Sequence, residues 1–248
     1  EFKRAFAAAT VHDFFNVLAV ILLLPIEIAT GYLQRVSSSM AELFQGVGGM
    51  KFSNPLKAAT KPVVNALVEL LGSQPIICLL AALAIMYVAL KFLVDLARGV
   101  VLKRSERYLH RYLFGSPPVA LLFGILLTIM VQSSSITTSM IVPLIGAGIL
   151  TLEQVFPFTL GANIGTTVTA MLASLATGNI AAVNVAFAHL LFNISGIGLI
   201  YPLNIIRSIP IRMARWLAEL TSKSRIYAFI YLGLVFYLLP LLLIAMWR

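Results

Sequence analysis

The sequence has 248 residues, of which 60% are hydrophobic and only 11% are charged, and its mean hydropathy is +0.98. A soluble domain of this length needs far more charge to cover its surface, so the composition excludes an ordinary soluble protein. The formal net charge is +9, but the basic residues lie between apolar runs, which indicates a role in membrane topology and argues against nucleic-acid binding.

Apolar runs that reach the ~20 residues of a membrane-spanning helix recur along the chain, so we predict an all-α polytopic protein of the lipid bilayer. The short alternating segments of a membrane β-barrel do not occur in the sequence. The first span is predicted at 14–34. A polar segment at 35–74, which ends in an amphipathic helix, is interpreted as an external loop. A second span follows at 75–102, and a basic connector at 103–113.

The next two apolar segments are interrupted. Residues 118–150 are split by VQSSSITTS, which places one amide and six hydroxyls side by side. Because Ser and Thr compete for backbone hydrogen bonds, we predict a re-entrant hairpin of two half-helices that meet at this tip. Residues 156–176 are interrupted by LGANIGTT, whose glycines permit a non-helical turn. We predict a broken helix with an unwound segment there, although the glycine spacing fits a close helix-packing face equally well.

The last part of the chain contains spans at 180–203 and 226–247. Between them, the basic amphipathic segment 205–220 is predicted to lie flat at the membrane interface. The positive-inside rule places the basic connectors 103–113 and 205–225 in the cytoplasm. An even number of crossings must then separate the connectors, and a re-entrant hairpin followed by two full spans satisfies this condition.

Two segments of the chain repeat one another. VHDFFNVLAVILLLP at 11–25 matches AHLLFNISGIGLIYP at 188–202, with His, Phe, Asn and Pro each recurring after 177 residues. The predicted topology runs the two copies in opposite directions, as in the inverted repeats of many secondary transporters. We therefore predict that 1–34 ends a first repeat and that 75–248 forms the second. The rest of the first repeat is expected upstream in a longer protein or from a homo-oligomer partner.

The interrupted segments predict a binding site. A helix break inside a bilayer must line a cavity or be buried in protein, and it creates helix N-termini that suit an anion and free carbonyls that suit a hard cation. Between Arg111 and Arg207 the only charged residue is Glu153. An anion bound there needs a companion cation such as Na⁺ to balance its charge. This argument does not select phosphate over sulfate or a carboxylate.

Two other functions compete with this interpretation. Small hydroxyl residues also let membrane helices approach closely, which leaves a non-transporting scaffold subunit as an alternative. A hydrolase is disfavoured because a serine nucleophile needs a base in reach, whereas His189 is the sole histidine of the later spans and no G-x-S-x-G turn occurs. Clusters of metal-ligating side chains are not found in the sequence. We therefore expect neither an enzyme nor a cofactor.

Four segments carry a resemblance to a known family. They are RAFAAATVHDFFNVLAVILLLPIE (4–27), VQSSSITTSMIVPLIGAGILTLEQVFPFTLGANIGTTVTAMLASLA (131–176), AHLLFNISGIGLIYPL (188–203) and IPIRMA (209–214). With these segments the chain resembles the type II sodium-dependent phosphate cotransporters. Members of that family resemble one another in having a QSSS signature in each of two inverted repeats, of which this chain shows only the second.

The resemblance implies symport of inorganic phosphate with Na⁺, by alternating access, in the plasma (inner) membrane. A Na⁺-coupled carrier of another oxyanion or of a carboxylate is the alternative. The resemblance also implies that the second signature, at the hairpin tip, faces the unwound segment. The ligands of phosphate or Na⁺ expected in the two segments are Gln132, Ser133, Ser134, Ser135, Thr137, Thr138, Asn163, Thr166 and Thr167. Of these, Gln132, Ser133, Asn163, Thr166 and Thr167 are expected to be shared with Na⁺.

Overall fold

The computed structural model describes residues 1–44, 55–72, 74–100, 113–177 and 179–246, and within these ranges the chain is helical without β-strands. Most of the basic connector 103–113 and part of the predicted external loop lie outside them. The helices are α1 (Phe2–Thr30), α2 (Tyr32–Leu43), α3 (Pro55–Leu70), α4 (Pro75–Val100), α5 (Pro117–Val131), α6 (Ser134–Gly146), α7 (Leu152–Thr177), α8 (Ile180–Ile200), α9 (Asn204–Lys223), α10 (Ile226–Gly233) and α11 (Leu239–Met246), the last two joined by a π-helical turn at Leu234–Leu238.

Three of these helices, α1, α7 and α8, are long and apolar enough to span a membrane, and several shorter helices are also strongly apolar. The prediction of an all-α membrane protein is therefore confirmed. The first span differs from its predicted bounds because α1 starts at Phe2 and already stops at Thr30. The amphipathic helix expected at the end of the polar segment 35–74 is α3.

A sharp corner between α1 and α2 explains why the first span stops early. The chain leaves α1 at Gly31, whose φ of 59° lies in the left-handed region that glycine adopts without steric cost. The Glu27 carboxylate then accepts hydrogen bonds from the backbone N–H groups of Leu33 (2.6 Å) and Gln34 (3.2 Å). A negative charge is favourable at a helix N-terminus, so α2 begins where the sequence predicted a loop.

α1 lies at the centre of the packing and contacts α6, α7, α8 and, most extensively, α9. Phe15 is fully buried against Phe156 of α7, with ring centroids 6.1 Å apart in an edge-to-face arrangement. The Arg4 guanidinium donates two hydrogen bonds, of 3.0 and 2.8 Å, to the Gly146 carbonyl at the end of α6. Because a cation is favourable at a helix C-terminus, α1 holds both α6 and α7 in place.

α5 and α7 form the most extensive helix contact among the described residues. They approach closely because a glycine of each helix faces the backbone of the other. A Cβ added to Gly124 would overlap the carbonyl oxygen of Phe158, and one added to Gly161 would overlap that of Leu121. The glycines therefore serve helix packing.

The prediction of an unwound segment in 156–176 is wrong, because α7 is one continuous helix from Leu152 to Thr177. Glycine in a helix costs about 1 kcal/mol relative to alanine, but the close approach of α5 compensates this cost through packing. The alternative that the sequence left open, a close packing face built on Gly161 and Gly165, is confirmed.

The last helices are tied to α1 through an acidic side chain. The Asp13 carboxylate accepts a hydrogen bond of 2.9 Å from the Tyr231 hydroxyl, and its other oxygen lies 3.0 Å from Nε2 of His12. The Asp13 side chain is largely buried, with 17% of its surface exposed. A buried carboxylate is retained only when it is paired or hydrogen-bonded, so these contacts indicate a structural anchor for α10.

We expect Asp13→Ala to lower the free energy of unfolding by about 1–3 kcal/mol, because the Tyr231 hydroxyl loses its acceptor. Asp13→Asn keeps an oxygen that can accept this bond and should lose less. Thermal unfolding of the detergent-solubilised protein measures both effects. Equal melting temperatures for the alanine variant and the unchanged protein would contradict the anchor.

Candidate functional site

The hairpin made by α5 and α6 breaks at the predicted motif. Gln132, which follows α5, has φ 56° and ψ 29°, and it is the only non-glycine residue with positive φ in the described ranges. Its backbone N–H donates to the Thr128 carbonyl at 2.6 Å. Ser133 then caps α6, since its hydroxyl accepts from the Ile136 N–H at 3.3 Å. A non-glycine residue in this region costs on the order of 1–3 kcal/mol, and such strain clusters at functional sites.

Three hydroxyls of the motif are committed to the local backbone. Ser133 is the helix cap. The Thr137 hydroxyl donates to the Ser133 carbonyl at 2.9 Å, and the Thr138 hydroxyl donates to the Ser134 carbonyl at 2.8 Å. Thr137 is fully buried. These side chains hold the break in shape, and their oxygens retain lone pairs for an additional partner.

Four other polar side chains of the motif are available, of which Ser139 lies further along α6 and three lie at its start. Gln132, Ser134 and Ser135 make no side-chain hydrogen bond within the part of the chain that the structure describes. Gln132 and Ser135 are exposed, and Ser134 is partly buried. The start of α6 thus presents an amide, two hydroxyls and a positive helix N-terminus together.

The candidate ligands on α7 lie on an intact helix. The Asn163 side-chain amide donates to the Asn16 side-chain oxygen at 3.0 Å. The hydroxyls of Thr166 and Thr167 donate to backbone carbonyls of their own helix, at 3.0 and 2.7 Å. Thr167 is fully buried, whereas Asn163 and Thr166 are partly buried. At this point α7 can offer a ligand only side-chain oxygens, since the continuous helix frees no backbone carbonyl.

The structure places the two predicted segments at a similar height along the axes of α5 and α7. α5 runs alongside α7 in the same direction, so that Leu121 meets Gly161 and Thr128 meets Gly165, where an added Cβ would lie 2.7 Å from the Thr128 Cβ. Gln132 lies four residues beyond Thr128, or about 6 Å further along. The break therefore lies level with the turn of α7 that follows Gly165. Within the described residues, no hydrogen bond joins the two segments.

The hairpin and the candidate segment of α7 carry no charged side chain. Glu153 is the one charged residue of the chain between Arg111 and Arg207, and it is in the first turn of α7. There it pairs with Arg215 of α9 at 2.6 Å. It is also about 15 Å along the helix from Asn163, at 1.5 Å per residue. The hairpin and this part of α7 therefore offer an anion only amides, hydroxyls and helix ends.

Sequence reasoning missed two residues of this site. Asn16 is the hydrogen-bond partner of Asn163, and its recurrence at Asn193 in the internal repeat was the available signal. Thr128 is fully buried on α5, and its hydroxyl has no partner within the described residues. The one sequence signal for Thr128 was its position one helical turn before Gln132. This signal is weak, because a single threonine in an apolar run is common.

The fold and the site define an all-α membrane protein with an uncharged polar site at the break of a helical hairpin. The family model described as Na⁺/Pi-cotransporter matches residues 85–242. The chain belongs to this family.

Several curated relatives match over nearly the whole chain. Sodium-dependent phosphate transport protein 2A of Ovis aries is 33% identical, over 97% of this chain and 50% of its own length. Protein 2A of Mus musculus is 34% identical, over 97% of this chain and 49% of its own length. Protein 2B of Homo sapiens is 32% identical, over 100% of this chain and 50% of its own length. The chain thus spans about half the length of these relatives. No solved structure matches it.

Proposed function

We propose that the protein containing this chain carries inorganic phosphate across the membrane together with Na⁺, by alternating access. The observation that carries the proposal is the break at Gln132, where the uncommitted polar side chains of a helix start lie in a charge-free part of the chain. The family and the relatives named sodium-dependent phosphate transport proteins support it. We further propose a multi-pass protein of the plasma (inner) membrane.

The break offers separate groups to the two ions. The N-terminus of α6 and the hydroxyls of Ser134 and Ser135 suit the phosphate oxygens, because N–H and O–H groups donate to an anion. The C-terminal carbonyls of α5 and the Gln132 side-chain oxygen suit Na⁺, as do the oxygens of Asn163 and Thr166. Because the hairpin and α7 carry no Lys or Arg, the phosphate charge is balanced by the bound Na⁺, and this mutual dependence is the proposed basis of coupling.

The helix packing supports an inverted repeat. α1 and α8 carry the matching sequences, and each is followed by a shorter helix, α2 or α9. α1 packs mainly on α9, and α8 packs extensively on α2. Two equivalent helix pairs that are related by a two-fold axis produce such a reciprocal arrangement. We infer that a first repeat, from the same protein or from a homo-oligomer partner, completes the site opposite α6.

A transporter needs none of the groups that hydrolysis requires. We propose no catalytic role for the serines, no enzymatic activity and no cofactor, with Na⁺ as the co-transported ion. Ser134 and Ser135 lie at the helix start without a histidine in the motif. Hydrolytic turnover that is lost on mutating one of these serines would contradict this proposal.

Uptake of labelled phosphate into vesicles that contain the full-length protein tests the function. We expect uptake that requires an inward Na⁺ gradient, with unlabelled phosphate competing and sulfate and succinate competing little. Equal competition by sulfate or succinate would identify a carrier of another oxyanion or of a carboxylate. Vesicles with no Na⁺-dependent uptake, and purified protein that Na⁺ does not stabilise, would favour the scaffold subunit.

A further inference from the structure

A basic pocket lies between α9 and the first turn of α7, away from the hairpin break. Its volume is about 280 Å³, and its polar lining includes Arg207, Arg212, Arg215, Glu153 and Asn204. Glu153 is about 15 Å along α7 from Asn163, the nearest candidate ligand of the transport site. The proposed transport of phosphate makes no use of this pocket.

The pocket has an excess of positive charge. Arg215 is paired with Glu153 at 2.6 Å. Arg207 donates to the Asn204 side-chain oxygen at 2.6 Å, and its guanidinium carbon lies 4.9 Å from the ring centre of Tyr201. Three guanidinium groups therefore face one carboxylate. Arginines that are held by neutral partners in this way keep donors available for an anion with several oxygens, such as a phosphate group.

Arg212 has no hydrogen bond or ion pair within the part of the chain that the structure describes, and it is exposed. It lies beside Arg215 on the face of α9 that borders the pocket. A guanidinium without a partner at the mouth of a basic pocket is the group on which an incoming anion depends most.

An apolar stripe on α9 adjoins the arginines. Ile205, Ile209, Met213 and Trp216 follow one another at i, i+4, i+8 and i+11, on one face of the helix. They are 83%, 37%, 39% and 62% exposed. The opposite face of α9 is buried and packs mainly on α1. Exposed aliphatic residues, Trp and Arg together are the composition of a helix that lies at the headgroup boundary of a membrane.

We propose that this pocket binds the phosphate-bearing headgroup of an anionic phospholipid whose acyl chains lie along the apolar stripe. The positive charge of the arginines complements the negative headgroup, and the apolar stripe provides a surface for the acyl chains. Free inorganic phosphate uses only the arginines. The positive-inside rule predicts that α9 faces the cytoplasm, where the leaflet is rich in anionic lipid. The proposal is independent of what the protein transports.

The test uses the full-length protein in a non-ionic detergent and a Na⁺-free buffer, so that the transport site contributes little. Short-chain phosphatidylglycerol, phosphatidylcholine of the same chain length and inorganic phosphate are titrated separately, with the thermal unfolding midpoint as readout. We expect phosphatidylglycerol to raise the unfolding midpoint in a saturable way, and phosphatidylcholine and inorganic phosphate to change it little. Arg212→Ala should weaken the affinity for phosphatidylglycerol at least tenfold. Lys223→Ala, at the exposed end of the same helix outside the pocket, should leave it unchanged.

Each other outcome overturns the proposal. If both lipids shifted the unfolding midpoint equally, only the acyl chains would bind. If inorganic phosphate shifted the unfolding midpoint as much as phosphatidylglycerol does, and Arg212→Ala abolished this shift, the pocket would be assigned to free phosphate. Unchanged affinity in both Arg212→Ala and Arg212→Gln would place the lipid elsewhere. If either variant is poorly folded, the comparison of the three compounds on the unchanged protein still decides between a headgroup and a free anion.

Discussion

Replacing Ser134 by alanine is expected to reduce Na⁺-dependent phosphate uptake by the full-length protein roughly 10–100-fold at sub-saturating phosphate. The Ser134 hydroxyl is partly buried at the start of α6 and is not used by the local backbone. A hydrogen bond to a charged group contributes about 1.5–3 kcal/mol, and each 1.4 kcal/mol corresponds to a tenfold change in binding. Uptake of labelled phosphate at several Na⁺ concentrations measures the loss.

Ser139→Ala is the matched control for this variant. Ser139 belongs to the same motif, but it lies five residues further along α6, about 140° around the helix, and it is not among the predicted ligands. We expect uptake close to that of the unchanged protein. Ser133→Ala is a poor choice because it also removes the cap of α6. Normal uptake by Ser134→Ala, at normal protein levels, would reject the site assignment.

The hairpin break was predictable because two signals of the sequence agree. VQSSSITTS concentrates hydroxyls that compete with helical hydrogen bonds, inside an apolar run too long for one simple crossing. The structure places the break at Gln132 and the cap at Ser133. The sequence did not predict which hydroxyls stay available, since this depends on rotamers such as those that turn Thr137 and Thr138 back to the helix.

The α7 helix shows why the second break was mispredicted. A glycine can end a helix or let another helix approach, and local sequence does not distinguish the two. The deciding residue is Gly124, which lies in a different helix and meets the backbone of Phe158. Such a partner is visible only once α5 and α7 are placed side by side. The Asn16–Asn163 hydrogen bond joins residues that are 147 positions apart in sequence and was missed for the same reason.

Gly161→Ala is expected to lower the free energy of unfolding by about 3 kcal/mol, the upper end for overpacking of a core. The added Cβ would overlap the Leu121 carbonyl oxygen. This atom belongs to the backbone of α5 and cannot rotate away as a side chain can. α5 and α7 must therefore separate, which also weakens the contact between Thr128 and Gly165 and shifts the hairpin break. The melting temperature should fall by roughly 5–10 °C, and phosphate uptake should fall with it.

Gly198→Ala separates this packing effect from the general effect of a helical glycine. Gly198 is inside α8, and a Cβ added there meets no atom within 4 Å. Its replacement should leave stability unchanged or raise it by up to about 1 kcal/mol, because alanine favours the helix. Opposite signs for the two variants follow only if the backbone of α5 lies against Gly161. A Gly161→Ala protein that melts at the temperature of the unchanged protein would mean that the two helices are further apart, and an open segment at 161–167 would have to be reconsidered.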